Sequence, residues 1–164
     1  MKKIFGFVIA SVMVISLVYA PVAFADVEKG KALFNKGKKE GKKIIITACK
    51  TCHRPGGDPA KFKPVGPGLK GAGKRYNRER LRIWLSPKNI TLWGDAIDAK
   101  GKIIGVPEDK LLQDLLKRYK AAKKGKDMKK SQMVKNFMSK GKKPPKITLT
   151  DEEREHIIDY VMTL

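Results

Sequence analysis

Cysteine and histidine are scarce in this chain, whose 164 residues include only two of each. Both cysteines lie in one short stretch, at Cys49 and Cys52. A structural zinc site would need a second pair of thiolates, so the single pair argues against such a site. The sequence also has no paired carboxylates in a recognisable setting, no nucleophile beside a base and no phosphate-binding loop. These absences predict a protein that is not an enzyme.

Acidic residues are also few, since 16 Asp and Glu residues stand against 37 Lys and Arg residues, for a formal net charge of +21. Such a surface attracts anions. Nucleic acid is the usual partner to consider, but the leader described below predicts export, and an exported chain rarely meets it. We therefore expect acidic proteins or an anionic membrane face as partners, and no nucleic acid. A lysine-rich surface that is merely solvated is the alternative.

The two cysteines belong to the pattern Cys49-Lys50-Thr51-Cys52-His53, which is C-x-x-C-H. At this spacing each thiol can add to one vinyl group of a porphyrin, while the adjacent histidine is held beneath the iron as an axial ligand. The pattern therefore predicts one covalently attached haem c. A dithiol of the thioredoxin type is the alternative for a C-x-x-C pair.

The N-terminus has the pattern of a signal peptide. Lys2 and Lys3 precede an apolar run over residues 4–19, and an Ala-x-Ala site ends at Ala25. We expect cleavage after Ala25, with residues 26–164 as one domain; an uncleaved anchor is the alternative. Cleavage lowers the formal charge from +21 to +19 by removing two lysines. Export agrees with the haem motif, because bacterial c-type attachment is completed outside the cytoplasmic membrane.

One helix is predicted before the motif and another at the end of the chain. Residues 26–43 form the first, with Gly30 and Phe34 on one face. A capping box at Thr150 opens the last helix, whose apolar stripe includes Tyr160. This arrangement resembles the class I cytochromes c. The resemblance implies an all-α fold in which the N- and C-terminal helices cross near Gly30, Phe34 and Tyr160 around a covalently bound haem.

Residues 66–71, GPGLKG, are similar to the Gly-Pro-x-Leu-x-Gly segment of that family. By this resemblance the Pro67 carbonyl accepts the proton on the outer nitrogen of His53, and Leu69 lines the haem. Arg75 follows where the family often places an arginine near a haem propionate. A plain surface cation is the alternative for Arg75.

A short amphipathic helix is predicted over residues 77–85, where Ser86 and Pro87 stop it. It resembles the family's middle helix, whose aromatic and leucine side chains face the distal side of the haem. Trp84 and Leu85 occupy those positions. In this place the hydrophobic core and the haem pocket would be the same region.

An insertion of about residues 88–127 departs from the compact family pattern. It contains a predicted helix opened by Pro107, Glu108 and Asp109. The apolar side of that helix consists of Leu111, Leu112, Leu115, Leu116 and Tyr119. The stripe packs over the haem edge or the middle helix, or it presents a docking face to a partner subunit. Plain packing is the preferred interpretation.

The second axial ligand is the least determined residue. The family takes a methionine from the segment before the last helix, where Met138 is our first choice because it lies nearest to Thr150 in spacing. Met133 is the alternative and Met128 the third. Packing along one helical face is the other interpretation for Met133 and Met138. His156 is the remaining histidine, and its charged neighbours predict a surface residue.

The sequence therefore predicts an exported, monohaem, all-α cytochrome c that carries single electrons between redox proteins with His/Met-ligated iron. Its expected partners are acidic redox proteins, with an anionic membrane surface and a subunit at the leucine-rich insertion as further candidates. Two alternatives remain open. One is a five-coordinate haem protein that binds a small gaseous ligand, and the other is the haem subunit of a periplasmic redox enzyme complex.

Overall fold

The computed structural model describes residues 20–41, 43–62, 65–138 and 145–164. Most of the predicted leader therefore lies outside the described residues. The described chain is mainly helical, as the resemblance implies. Its elements in order are helix α1 Ala20–Lys36, strands β1 Lys38–Glu40 and β2 Lys43–Ile46, a 3-10 turn Cys49–Thr51, helices α2 Ala72–Arg75 and α3 Arg78–Trp84, a 3-10 segment Pro87–Ala96, and helices α4 Lys110–Ala122, α5 Gln132–Phe137 and α6 Asp151–Met162.

Helix α1 ends at Lys36, so the prediction that it continues to residue 43 is wrong. Gly37 has a φ of 68°, a left-handed conformation that glycine adopts readily, and its N–H donates to the Leu33 carbonyl at 2.8 Å. Strands β1 and β2 then form an antiparallel hairpin. Ile46 at the end of β2 also pairs with Ile147, which precedes α6. The hairpin thus holds the chain before the motif against the chain before the last helix.

The main core lies where α1 packs against α6. Gly30 faces the backbone of α6 so closely that a methyl group there would overlap the carbonyl oxygen of His156. One turn further along, the rings of Phe34 and Tyr160 meet edge to face, with centroids 5.4 Å apart. A glycine opposite a backbone carbonyl is what allows two helices to approach this closely.

Side-chain caps fix where the other helices begin. Thr150 and Glu153 form a capping box at the start of α6, as the sequence predicts. Asn77, Asp109 and Ser131 each accept a backbone N–H at the starts of α3, α4 and α5 respectively. A cap of this kind contributes about 1 kcal/mol to a helix. These short helices are therefore defined by local hydrogen bonds as well as by packing.

His156 is buried, so the prediction of a surface residue is wrong. Its side chain is 11% exposed, with Nε2 3.3 Å from a carboxylate oxygen of Glu152 and Nδ1 3.6 Å from Asp26. The polar neighbours in sequence suggest solvent, but position 156 lies one turn before Tyr160, on the face that α1 covers at Gly30. Partnering by carboxylates makes this burial tolerable.

A second, smaller core lies where residues 84–116 pack against α5. Its buried members are Trp93, Ile97, Leu112 and Val134. Leu115, Leu116 and Met138 pack against it. This part of the chain therefore has an apolar centre separate from the main core, and three of the leucines predicted for the apolar side of α4 (Leu112, Leu115 and Leu116) pack in it. None of the described helices is long and apolar enough to cross a membrane.

An ion-pair network joins α3 to α6. Glu155 accepts from Arg78 at 2.8 Å and from Arg82 at 2.6 Å, and Arg78 also contacts Asp159 at 2.6 Å. Hydrogen bonds from Arg82, followed by those from Arg78, lower the pKa of Glu155 to about 2. Because this pKa lies below its unfolded value, the network stabilises the fold at neutral pH and loses that contribution as the pH falls from about 4.5 to about 2.

We expect Glu155→Gln to lower the free energy of unfolding by about 1 kcal/mol at pH 7, since these side chains are partly exposed. At pH 2 most of this deficit should have disappeared, because Glu155 is then about half protonated in the folded state and almost fully protonated in the unfolded state. Urea unfolding at the two pH values measures this. Glu108→Gln, at an exposed position, is the control. A Glu155→Gln deficit that stays the same at pH 2 would contradict the assignment.

Candidate functional site

A cavity of about 450 Å³ opens beside the C-x-x-C-H motif. Cys49, Cys52 and His53 line it, together with Pro67 and Leu69 from the segment that follows. Side chains from α3, α4, α5 and α6 form the rest of the wall. The volume is within the range of cofactor sites in proteins, and the lining is mostly apolar. Such a cavity suits a large, mainly apolar cofactor.

The motif is folded tightly. The 3-10 turn Cys49–Thr51 is followed by Cys52 and His53, whose N–H groups donate to the Cys49 carbonyl at 3.0 and 2.9 Å. Both thiols are free. Burial raises the pKa of the Cys49 thiol to about 11, so it is protonated at neutral pH. The turn thus presents two thiols and one imidazole to the same cavity.

His53 is oriented by its outer nitrogen. Nδ1 lies 2.9 Å from the Pro67 carbonyl oxygen, the contact that the resemblance implies, and a carbonyl acceptor requires the proton to be on Nδ1. Nε2 therefore keeps its lone pair. Burial lowers the pKa of the imidazole, which favours the neutral, metal-binding form. Gly66 packs so closely on the ring that a methyl group there would overlap it. The ring is thereby held in one orientation.

Much of the remaining wall comes from α3 and α4. Leu81 and Trp84 of α3 line the cavity together with Leu85, which directly follows that helix, and so do Leu111, Leu112, Leu115 and Tyr119 of α4. Helix α4 thus faces both the cavity and the second core. Sequence reasoning missed Phe62 and Arg80, which also line the cavity. An aromatic residue within an otherwise Gly- and Pro-rich loop was the available signal for Phe62.

The three candidate methionines separate into two groups. Met133 and Met128 line the cavity, whereas Met138, our first choice from the sequence, does not. Met138 packs on the second core, as does Val134, which lies four residues before it. Met133 and Phe137, also four residues apart, pack on the main core. Side chains at this spacing share a face, so α5 divides its apolar residues between the two cores and directs Met138 away from the cavity.

Arg75 also lies away from the cavity lining. Its guanidinium donates to the Lys70 carbonyl and lies 5.6 Å from the centre of the Tyr76 ring. Its Nε is buried and has no hydrogen-bond partner among the described residues, and Tyr76 itself lines the cavity. The family role of Arg75 beside a haem propionate therefore stays a prediction, as does the alternative of a surface cation.

The described residues fit a covalently held haem. Two free thiols at the correct spacing, an imidazole with Nε2 available and an apolar cavity are the features that such a group needs. A tetrahedral zinc ion fits poorly, because these thiols and His53 supply at most three ligands within apolar walls. The chemistry of the donors therefore selects an iron porphyrin.

Comparison with known protein families agrees with a haem-binding site. Residues 27–103 match the family model for cytochrome c, a range that contains the motif, Pro67 and α3. No curated protein and no solved structure matches the chain. The matched range ends before the three candidate methionines, so the assignment of the sixth ligand depends on the structure. On the motif, its geometry and this match, residues 27–103 form a cytochrome c domain, consistent with a class I c-type cytochrome, and this family implies covalently bound haem c.

Proposed function

We propose that this protein is an exported one-electron carrier whose haem iron is ligated by His53 and Met133. The observation that carries the proposal is that the imidazole and a methionine thioether line one apolar cavity. Haem supplies the redox chemistry by cycling between ferric and ferrous iron. A thioether ligand favours the ferrous state and so raises the reduction potential.

The preference for Met133 over Met128 rests on how each is held. Met133 lies in the first turn of α5, whose start is fixed by the Ser131 cap, and it packs against the main core. Met128 lies in the loop between α4 and α5. A ligand on a packed helix is positioned more reproducibly than one on a loop.

The protein's own residues supply the setting for electron transfer. Pro67 fixes the proton on His53 Nδ1 and thereby increases the basicity of Nε2. The apolar side chains of α3 and α4 keep water from the cavity. Exclusion of water favours the iron state with less net charge, which here is the reduced state. These features support a carrier that holds its electron away from solvent.

Replacement of each methionine by leucine tests the ligand, because leucine keeps nearly the same volume while removing the sulfur. We expect Met133→Leu to abolish the methionine-to-iron band at the red edge of the oxidised visible spectrum, to lower the potential and to allow carbon monoxide to bind. Met128→Leu and Met138→Leu should keep the band. Loss of the band only in Met128→Leu or Met138→Leu would move the ligand to that residue.

The spectrum of the original protein tests the function itself. A protein whose oxidised form lacks the methionine-to-iron band, and whose reduced form binds carbon monoxide without any substitution, would overturn the carrier proposal. It would favour the five-coordinate, gas-binding alternative.

We extend the proposal to location and partners. The predicted signal peptide supports export, and 37 basic against 16 acidic residues support docking to acidic redox proteins. Two of the exposed residues in the cavity wall are Lys129 and Lys130, so positive charge lies near the cofactor site. Charge at that place favours encounter of an acidic partner with the part of the surface nearest the haem.

A further inference from the structure

The inserted helix α4 is fastened across the cavity at both of its ends. At its start, Asp109 accepts the N–H of Leu112 as the helix cap and also accepts two hydrogen bonds from Arg80 of α3. Those two bonds measure 2.7 and 2.6 Å and have the bidentate geometry of a strong carboxylate–guanidinium pair. The first turn of α4 is thus tied to the middle helix.

The other end of α4 is tied to the loop that precedes Pro67. Arg118 donates to the Pro59 carbonyl at 3.1 Å, and Lys123 donates to the Phe62 carbonyl at 3.3 Å. The rings of Phe62 and Tyr119 meet edge to face, 5.2 Å between centroids. Helix α4 therefore bridges α3 and the loop before Pro67, and its leucines line the cavity between these two attachments.

The Arg80–Asp109 pair differs from the other arginine pairs of α3. Its side chains are only 19% and 22% exposed, and Arg80 itself lines the cavity. Arg82, on the same helix, pairs with Glu155 at 49% and 34% exposure and lies outside the cavity lining. A pair that is shielded from water contributes more than an exposed one. Arg80 also connects two helices that both form cavity wall.

We propose that Arg80 is a positioning residue that holds α4 closed over the cavity and so keeps small exogenous ligands from the iron. The inference rests on the proposed carrier function, because exclusion of such ligands keeps the sixth position for a protein side chain. Arg80 acts through Asp109 and α4, since both of its terminal nitrogens donate to Asp109. The insertion then serves as a closing element for the site.

The test compares the holoprotein with Arg80→Gln and Asp109→Asn. Asparagine keeps the helix cap but removes the charge, so it separates the ion pair from the capping role. Arg82→Gln is the matched control, because it removes an ion pair from the same helix away from the cavity. Arg80→Lys keeps the positive charge but loses the two parallel hydrogen bonds of the guanidinium, so it should change both measured rates less than Arg80→Gln does.

Two measurements are needed. Amide hydrogen exchange of α4 reports its opening whatever ligates the iron. Carbon monoxide association, measured on the reduced protein in the Met133→Leu background, reports access to the iron. We expect Arg80→Gln and Asp109→Asn to speed both by about tenfold, and Arg82→Gln to leave both within about twofold of the parent protein.

Exchange in α4 that responds equally to Arg80→Gln and Arg82→Gln would overturn the proposal. Faster exchange in Arg80→Gln with an unchanged carbon monoxide rate would also overturn it, because α4 would then not control access. Failure of the ligand assignment would be recognised separately, since the Met133→Leu parent would bind no carbon monoxide. The exchange measurement would still decide whether Arg80 holds α4.

Discussion

Gly30→Ala should lower the free energy of unfolding by about 3 kcal/mol and the midpoint of thermal unfolding by roughly 10 °C. The added methyl group would overlap the His156 carbonyl and press on Tyr160, so α1 and α6 would have to separate. The direction of the expected change in stability makes this a sharp test. In an exposed helix interior the same substitution stabilises by about 1 kcal/mol, because alanine has the higher helix propensity.

The control for Gly30→Ala is Gly56→Ala. A methyl group at Gly56 meets no atom within 4 Å. We expect a change of at most about 0.5 kcal/mol there. Calorimetry of the two holoproteins measures the difference. A Gly30→Ala protein that melts at or above the midpoint of the original would show that the close approach of the two helices is not required.

Reduction by an acidic redox protein should slow by one to three orders of magnitude, roughly, as ionic strength rises from 0.1 to 1 M. Over that range the Debye length contracts from about 10 Å to about 3 Å, which screens attraction between separated surface charges. Stopped-flow reduction across the range measures the effect. A small neutral reductant is the control, because its rate reports only the exposure of the haem edge.

Lysine variants can show which surface charges attract the acidic partner. Replacing Lys129 and Lys130, which line the cavity, by glutamine should reduce both the protein-partner rate at low salt and its salt dependence. Replacing Lys36 and Lys39, exposed in α1 and β1, is the matched control. A partner rate that does not change with salt would show that the charge serves solubility or adhesion to a membrane, and that docking depends on the apolar insertion.

The features that sequence predicts well are those set by local chemistry. The capping box at Thr150 and the start of α4 at Asp109 each depend on residues close together in the chain, whereas the contact of His53 with Pro67 is expected only from the family resemblance. Motif spacing also predicts the cofactor, because haem attachment requires two thiols and a histidine at fixed offsets. For these features the sequence pattern and its physical cause are the same.

The wrong predictions concern tertiary choices. The end of α1 is decided at Gly37 and by a hairpin whose last residue pairs with Ile147, about a hundred residues away in sequence. His156 looks polar in sequence but is covered by α1. Which methionine ligates the iron stays a prediction: spacing to Thr150 favours Met138, whereas the structure packs Met138 on the second core around Trp93 and Met133 on the main core beside the cavity.

The packing of α1 against α6 also has a consequence for the order in which the chain folds. Lys38 and Glu153, which form an ion pair at 2.7 Å beside this junction, are 115 residues apart. Closing a loop of that length costs on the order of 4 kcal/mol in chain entropy from its logarithmic dependence on length, so the junction forms late. Ile157 and Val161 of α6 line the same cavity as Cys49 and Cys52. Until α6 docks, that side of the cavity is open, and both thiols are accessible for haem attachment.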